Sequence, residues 1–428
     1  MNTQELTLII FMVVAAQVAI FALIAFYRHW RSYEELKKRL DFLEDNQEES
    51  ISHSILPVSP PKPSWTGFRD FRVQRKVVED RNKTICSFFL TPIDRNPLPS
   101  FKPGQFLTFQ LDVKNEVRQT SEKVVRCYSL SDKPSPDYFR VTIKRVPAPS
   151  KVPNALPGIA SNYFHDKVHE GDILAVKAPA GHFYWNKEEK HPIVLIGSGI
   201  GITPMLSILN TWIHTDSKPE IGIYYGVRNS DDHIMKDYLE DVVKTHQNLH
   251  LHVVYSQPKQ QDINGTDYHH LGHIDITLLR LTLLLKLYQF YVCGPKQMME
   301  TLVPDLRDWG VPDNNIHYET FGPSSLTKPE KQRPSSVEAE TTSELTAVTF
   351  SKSGKTYQWN SGAASLLEFA EENGIPIDSG CRAGSCGSCQ TTIESGEVEY
   401  VQSPDIDPEP GTCLLCVSVP KTHLTLSA

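Results

Sequence analysis

Hydrophobic positions along the chain follow different patterns in successive blocks, and each pattern predicts its own structure. The first block is one unbroken apolar run, the second alternates apolar and polar residues as strands do, and later blocks mix strand runs with helical periods. The pattern predicts a multidomain chain with six segments: a transmembrane anchor (1–27), a stalk with a Pro-rich spacer (28–64), an antiparallel β-barrel (65–187), an α/β parallel-sheet domain (188–323), a linker (324–343) and an α+β domain (344–428).

The apolar run near the N-terminus has the length of a membrane-spanning helix. Its 22 residues, 6–27, carry no charge, and a helix of about 20 apolar residues crosses a bilayer core. Arg28, Arg31 and Lys37 follow the run, whereas no basic residue precedes it. The positive-inside rule therefore predicts a single-pass anchor in the cell inner membrane with the later domains in the cytoplasm. A cleaved signal peptide fits less well, because "MNTQE" has no basic residue and the run is too long.

The second block predicts a small closed antiparallel barrel. Runs rich in Val, Ile, Phe and Tyr are separated by Pro, Gly and Asp turns: FRVQRKVVE, TICSFFLTP, QFLTFQLDV, YFRVTIKRV and DILAVKAPAG. Within it, RCYSLSD places Arg126 and Tyr128 on one face of a strand, beside Ser129. A guanidinium near an aromatic ring suits a planar ring system that carries phosphate, although a structural role for both remains open.

A helix start follows in PGIASNYFHDKV. Gly158, Ala160 and Ser161 lie where free backbone N–H groups and the helix dipole favour a phosphate. The alternative is an ordinary helix capped by Ser161.

The third block contains a strand, a Gly-rich turn and an apolar helix in HPIVLIGSGIGITPMLSIL. Gly197, Gly199 and Gly201 permit a tight turn and the close approach of a pyrophosphate, and Pro204 suits a first helical turn. The runs EIGIYYGVR, LHLHVVYSQ and YQFYVCGPKQMMETLV complete an alternating pattern that predicts a parallel sheet with ligands at the carboxyl ends of its strands. Cys293 lies at such an end.

Charge and cysteine content exclude two classes of protein. A net charge of −8 argues against nucleic-acid binding. From Leu345 onward ten acidic residues face four basic ones, so that this segment alone carries −6. Eight cysteines in 428 residues are too few for a secreted disulfide scaffold, which favours a reducing compartment.

Four cysteines near the C-terminus have the spacing of a plant-type 2Fe-2S site. Cys381, Cys386 and Cys389 lie close together, and Cys416 follows after 26 intervening residues. A zinc site built from the pairs Cys386/Cys389 and Cys413/Cys416 is the open alternative, although it leaves Cys381 unused.

Five ordered motifs then resemble a known family. RCYSLSD, PGIASNYFHDKV, GSGIGITPM, CGPKQMM and IHYETFGP, over residues 65–323, are similar to the ferredoxin-NADP reductase superfamily and most closely to the reductase half of flavohaemoglobins. The resemblance implies that Arg126 binds a flavin phosphate, that Tyr128 packs on the isoalloxazine and that Ser129 hydrogen-bonds its N5 edge. No globin-like segment precedes the barrel, so we expect no haem chemistry.

The same resemblance implies roles for the remaining motif residues. Gly158, Ala160 and Ser161 would hold the FAD pyrophosphate. The nicotinamide dinucleotide would be framed by Gly199, Thr203 and Pro204, with Cys293 and Gly294 beside the nicotinamide, and Glu319 and Phe321 would lie near the flavin. Arg228, just beyond a strand, could meet a 2′-phosphate, yet the flavohaemoglobin-like relatives prefer NADH, so the choice between NADH and NADPH stays open.

The last segment resembles plant-type ferredoxins, which have a β-grasp fold. CRAGSCGSC and GTCLLCVS are the matching motifs, and this resemblance selects Cys416 as the fourth ligand.

These modules predict an electron path. A hydride carries two electrons, whereas the cluster takes one at a time, and a flavin can do both. We therefore expect a membrane-anchored NAD(P)H-dependent flavin and iron-sulfur reductase. Its acceptor would be a membrane-associated protein, such as an oxygenase, hydroxylase or desaturase, that offers a basic docking patch. The alternatives are a quinone or hybrid-cluster protein reductase, a non-catalytic redox sensor and a zinc-bearing interaction module.

Overall fold

The computed structural model describes residues 64–320 and 346–428, apart from short gaps at 66, 116–119, 149–156, 217, 361, 378, 383, 385, 402–403 and 405–406. The predicted anchor, the linker and Phe321 lie outside the described residues, as does the stalk except for its last position. Within the described part, no helix combines the length and the apolar composition needed to cross a membrane.

Six antiparallel strands form the barrel domain, in the sheet order β4-β3-β6-β1-β2-β5. A single bridge between Leu130 and Val141 joins the two ends of the sheet. The predicted barrel is therefore present. Its strands are β1 (Arg69–Val78), β2 (Ile85–Pro92), β3 (Phe106–Asn115), β4 (Thr120–Ser129), β5 (Phe139–Lys144) and β6 (Ile173–Val176).

Alternation along β1 shows why this segment lines a barrel. Phe71 and Val73 are fully buried, whereas Arg72 between them is exposed. Helix α1 (Ile159–Asp166) covers the barrel through Phe164, whose ring meets Phe109 edge-on at a centroid distance of 5.2 Å.

A second sheet of six parallel strands, in the order β10-β9-β8-β7-β11-β12, forms the parallel-sheet domain. Its central strand IVLIGS is buried over five residues, as expected when helices cover both faces. The strands are β7 (Ile193–Ser198), β8 (Ile221–Val227), β9 (Leu249–Tyr255), β10 (His270–Leu271), β11 (Gln289–Gly294) and β12 (Ile316–Thr320). The helices are α2 (Ile202–Ile213), α3 (Lys236–Thr245), α4 (Ile276–Thr282) and α5 (Lys296–Asp308).

The C-terminal domain has a five-stranded sheet, β14-β13-β19-β15-β17, and a two-stranded one, β16-β18. Helix α6 (Leu366–Glu372) starts at Ser365, whose hydroxyl accepts the Glu368 N–H, and the chain leaves it through Gly374 at φ +67°. The strands are β13 (Ala347–Phe350), β14 (Lys355–Gln358), β15 (Gln390–Ser395), β16 (Val398–Tyr400), β17 (Thr412–Leu414), β18 (Ser418–Pro420) and β19 (Leu424–Leu426).

A buried polar network joins the barrel domain to the parallel-sheet domain. The Ser207 hydroxyl on α2 donates to the Asp132 carbonyl at 2.8 Å, and the Asn210 amide donates to the Asp132 carboxylate at 2.7 Å. The Tyr238 hydroxyl donates to the Asn210 side-chain oxygen at 2.5 Å. The Ser207 hydroxyl and the Asn210 amide are thus paired with Asp132 across the boundary between the two domains, and Tyr238 supports Asn210 from within the parallel-sheet domain.

Candidate functional site

The C-terminal end of β4 carries the first part of the site. Tyr128 is partly exposed, and its ring meets Phe109 and Phe164 at steep interplanar angles of 60° and 79° rather than in parallel. Burial raises the pKa of Tyr128 well above its usual range, so its hydroxyl stays neutral. A rigid neutral ring of this kind suits stacking by a planar ligand.

Ser129, the next residue, connects the barrel domain to the parallel-sheet domain. Its hydroxyl is buried and donates to a Glu319 carboxylate oxygen at 3.4 Å. Burial raises the pKa of Glu319 to about 8, and the hydrogen bond from Ser129 offsets only part of that increase. Glu319 therefore holds a proton near neutral pH.

Cys293 lies beside Glu319, because β11 and β12 pair these two residues. Its thiol is fully buried, and burial followed by the Glu319 charge raises its pKa. A Cβ on Gly201 would lie 2.2 Å from the Cys293 carbonyl oxygen, so the Gly-rich turn reaches this point only without a side chain. Gly294 follows, with the Met298 methyl 2.5 Å from the place of its absent Cβ.

The Gly-rich turn has one open side. Gly197 ends the buried part of β7, and the turn continues as a short 3₁₀ helix in which Gly199 has φ +55°. No described atom lies within 4 Å of the place where a Gly199 Cβ would stand. The Thr203 hydroxyl donates to the Ile200 carbonyl at 2.9 Å, and Pro204 lies in the first turn of α2, as the sequence predicts. The open backbone permits the close approach of a ligand.

Helix α1 begins at the predicted place, but the alternative that Ser161 caps it is wrong. The N-cap is Gly158, which makes no side-chain capping bond. The Ser161 hydroxyl donates instead to the Gly158 carbonyl at 3.2 Å and accepts the Val146 N–H, also at 3.2 Å. Ala160 is buried under this turn. The predicted pyrophosphate role of these residues stays a prediction.

The two candidate arginines both have protein partners. Arg228 follows β8 and its Nε donates to Asp232 at 2.5 Å. Arg126 is exposed on β4, and its Nη1 donates to the Ser379 carbonyl of the C-terminal domain at 3.2 Å. The latter contact brings β4 against the cysteine-rich loop.

The four predicted cluster cysteines come together through contacts between pairs of thiols. Hydrogen-bonding contacts join the side chain of Cys381 to those of Cys386 and Cys416, and the Cys416 thiol to that of Cys389. Backbone N–H groups of Cys381, Cys386 and Gly384 donate to the sulfurs of Cys386, Cys381 and Cys416 at 3.3, 3.2 and 3.3 Å. Thiols with N–H donors suit an iron-sulfur cluster. Among the described residues, no group of three or more His, Cys, Asp or Glu side chains is arranged around a single metal position.

Cys413 has a different environment from Cys416. It lies on β17 opposite Thr391, is fully buried in the C-terminal core, and has its pKa raised to about 12 by burial, an effect that a hydrogen bond with Ser418 reduces. The Gly384 N–H points to Cys416 instead. This geometry favours the ligand set that contains Cys416 over the zinc alternative.

The sequence analysis missed two residues that complete the surroundings of the cluster loop. The Cys127 thiol contacts that of Cys386, and Lys177 Nζ donates to the Cys386 carbonyl at 2.7 Å. Cys127 lies between Arg126 and Tyr128 in the motif RCYSLSD, and this position was its only signal in the sequence.

Comparisons with known proteins give three family matches. They are an oxidoreductase FAD-binding domain over residues 71–185, an oxidoreductase NAD-binding domain over 195–303 and a 2Fe-2S iron-sulfur cluster binding domain over 348–421.

Relatives and solved structures match parts of the chain. It is 39% identical to a flavohemoprotein of Halalkalibacterium halodurans over 260 residues, which are 61% of this chain and 61% of that protein. The flavohem-like FAD/NAD binding domain of nitric oxide dioxygenase from Vibrio cholerae is 30% identical, with a TM-score of 0.50, over 60% of this chain and 100% of that one. An intact type IV self-sufficient cytochrome P450 monooxygenase, 21% identical over 84% of this chain and 41% of its own, shares the fold with a TM-score of 0.51.

The chain therefore combines an oxidoreductase FAD-binding domain, an oxidoreductase NAD-binding domain and a 2Fe-2S cluster binding domain, and it spans 61% of the length of the flavohemoprotein that it matches.

Proposed function

We propose that this chain takes electrons from NADH or NADPH and passes them singly, through FAD and a 2Fe-2S cluster, to an acceptor protein such as an oxygenase, hydroxylase or desaturase. One observation carries the proposal. Strand β4 contacts both neighbouring domains within four residues, because Ser129 donates to Glu319 of the parallel-sheet domain and Arg126 donates to Ser379 of the C-terminal domain. The barrel domain is thus the shared neighbour of the two other modules.

The residues at the barrel end of this path fit a flavin. A bound FAD would supply the chemistry that converts two-electron hydride transfer into one-electron transfer. Tyr128 offers a neutral ring and Ser129 a buried hydroxyl for the ring system, and the first turn of α1 offers backbone N–H groups for the phosphates. Glu319 holds a proton next to Ser129 near neutral pH, which keeps a negative charge out of this crevice.

The cysteine-rich loop fits a 2Fe-2S cluster held by Cys381, Cys386, Cys389 and Cys416. Three of these side chains are buried, so they exclude water from the sulfurs, and three backbone N–H groups donate to the thiols. The C-terminal segment from Leu345 carries a net charge of −6. We infer that the acceptor offers a basic patch, because complementary charge speeds and orients docking.

The same proposal includes the location of the chain. The uncharged run at 6–27 and the basic residues after it support a single-pass inner-membrane anchor with the redox domains in the cytoplasm. Expression of the full chain, fractionation and carbonate extraction test this directly. Retention in the carbonate-washed membrane is expected, and release into the supernatant would contradict the anchor.

The function is tested on the anaerobically purified protein. Flavin, iron, sulfide and zinc are quantified, and visible spectra are recorded before and after addition of NADH or NADPH. We expect flavin and about two irons per chain, bleached by one of the nucleotides, with rapid turnover on a one-electron acceptor dye. Bound cofactors with negligible turnover would indicate a redox sensor, turnover with quinones alone a quinone reductase, and zinc without sulfide an interaction module.

A further inference from the structure

Two basic side chains and one thiol of the barrel domain contact the cysteine-rich loop. Lys177, just after β6, donates from Nζ to the Cys386 carbonyl at 2.7 Å, and Arg126 donates to the Ser379 carbonyl at 3.2 Å. Between these two basic groups the Cys127 thiol contacts the Cys386 thiol. Two charge-assisted hydrogen bonds to loop carbonyls thus flank one thiol contact.

Pairing within the barrel fixes the position of these side chains. Thr108 on β3 lies opposite Cys127 on β4, and its hydroxyl lies 3.3 Å from the Cys127 sulfur. The Lys177 N–H donates to the Thr108 carbonyl at 2.8 Å, which extends the pairing of β3 with β6. Lys177 Nζ also lies 5.2 Å from the centre of the Phe68 ring. The lysine is therefore held at both its backbone and its ammonium group.

The loop has a matching close approach at Gly380. A Cβ there would lie 2.9 Å from the Cys386 sulfur and 3.2 Å from the Cys127 sulfur. The absent side chain allows the barrel strand to contact the loop at the sulfur of Cys386. Cys389 and Cys416 pack instead in the apolar core of the C-terminal domain.

We propose that Arg126, Cys127 and Lys177 form a docking seat that fixes the cluster-binding loop on the barrel domain, with Cys386 as the cluster ligand that contacts the barrel. This inference rests on the proposed function for its meaning, since the seat shares β4 with Tyr128 and Ser129, the expected contacts of the flavin. Lys177 is a positioning residue in this arrangement. It acts through the carbonyl of Cys386.

Hydrogen exchange with mass spectrometry on the full, cofactor-loaded chain tests the seat without reference to turnover. Lys177→Met removes the donor but keeps the length of the side chain, and Lys123→Met, on the exposed face of β4 opposite Asp112, is the matched control. We expect exchange in peptides covering 379–389 to rise at least about fivefold in Lys177→Met. The control and Lys177→Arg, which restores a cationic donor, should stay at the parent level. Parent-like exchange in Lys177→Met would overturn the proposal.

Stopped-flow absorbance separates this proposal from the proposed function. After addition of the nucleotide that bleaches the parent, Lys177→Met should bleach its flavin at the parent rate, whereas bleaching of the cluster should slow at least about tenfold and recover in Lys177→Arg. Equal slowing of both phases, or of neither, would reject the seat as the contact for electron transfer. A parent that no nucleotide bleaches would instead reject the proposed function, and the exchange result would still decide the seat.

Discussion

The hydroxyl of Ser129, the last residue of β4, donates to the carboxylate of Glu319 on β12 at 3.4 Å and so joins the barrel domain to the parallel-sheet domain by one polar contact. Burial raises the pKa of Glu319, the partner of this hydroxyl, to about 8. The Ser129–Glu319 contact thus joins two domains through a carboxyl group that keeps its proton at neutral pH.

This proton gives the protein a pH-dependent stability. The folded chain keeps it up to about pH 8, whereas the unfolded chain releases it near the ordinary glutamate value of 4.5. Between these pH values the folded state binds more protons, so this group's contribution to the free energy of unfolding is complete below about pH 4.5 and is lost as pH rises toward 8. The slope is at most about 1.4 kcal/mol per pH unit.

Glu319→Gln has no such proton and tests the linkage. Urea unfolding from pH 5 to 8 should show that the variant gains stability relative to the parent as pH rises. Ser129→Ala, which removes the hydrogen bond that lowers the pKa, should extend the slope of the parent to higher pH. A constant difference between Glu319→Gln and the parent across this range would show that the carboxyl titrates normally.

Local features of this fold were predictable because short-range patterns determine them. The alternation of Phe71 and Val73 identifies β1 as a strand with one buried face, and the run of IVLIGS identifies β7 as a fully buried strand. Gly374 ends α6 as its left-handed conformation requires. Each of these features depends on residues that are close in the sequence.

Contacts between domains could not be predicted in the same way. The pair Ser129 and Glu319 is separated by 190 positions, and Arg126 and Ser379 by 253. Neither pair follows from a period or a spacing, because each depends on how whole sheets pack. Arg126 and Tyr128 stand out in their motif, whereas Cys127 between them does not, because a thiol on a strand indicates no chemistry until its neighbour is known.

The close packing of Gly201 against Cys293 predicts a loss of stability when a side chain is added. Gly201→Ala should destabilise the protein by at least about 3 kcal/mol, because its Cβ would lie 2.2 Å from the Cys293 carbonyl oxygen and the turn would have to move. Gly199→Ala is the matched control. Its Cβ meets no described atom, so only the positive φ of +55° is penalised, at about 1 kcal/mol. Denaturant unfolding measures the two losses of stability, and equal losses for the two variants would contradict this account.

Cys416 and Cys413 should respond differently to the same substitution. Cys416→Ser should lose most of its iron and sulfide, because the thiol contacts Cys381 and Cys389 and accepts the Gly384 N–H. Cys413→Ser should keep the parent iron content and lose about 1–3 kcal/mol of stability, because its thiol is packed in the apolar core. Iron and sulfide analysis with denaturant unfolding distinguishes the two. Iron loss in Cys413→Ser with retention in Cys416→Ser would reverse the assignment.

The choice of nucleotide depends, we expect, on the partner of Arg228. Burial alone would raise the pKa of Asp232, but the hydrogen bond from Arg228 and the charge of Lys144 outweigh it and hold the pKa below its usual range, so a carboxylate faces the guanidinium. The Asp232 carboxylate, 2.5 Å from the Arg228 Nε, offsets the positive charge that a 2′-phosphate would meet, so the parent should prefer NADH.

Asp232→Asn removes that competing charge. The ratio of kcat/KM for NADPH to that for NADH should then rise about tenfold, which corresponds to roughly 1.4 kcal/mol of new binding to the 2′-phosphate. Adding Arg228→Met should abolish the gain, because the guanidinium is the group that is released. A gain that persists without Arg228 would mean that the lost negative charge acts alone on the phosphate, and an unchanged ratio would place the 2′-phosphate away from Arg228.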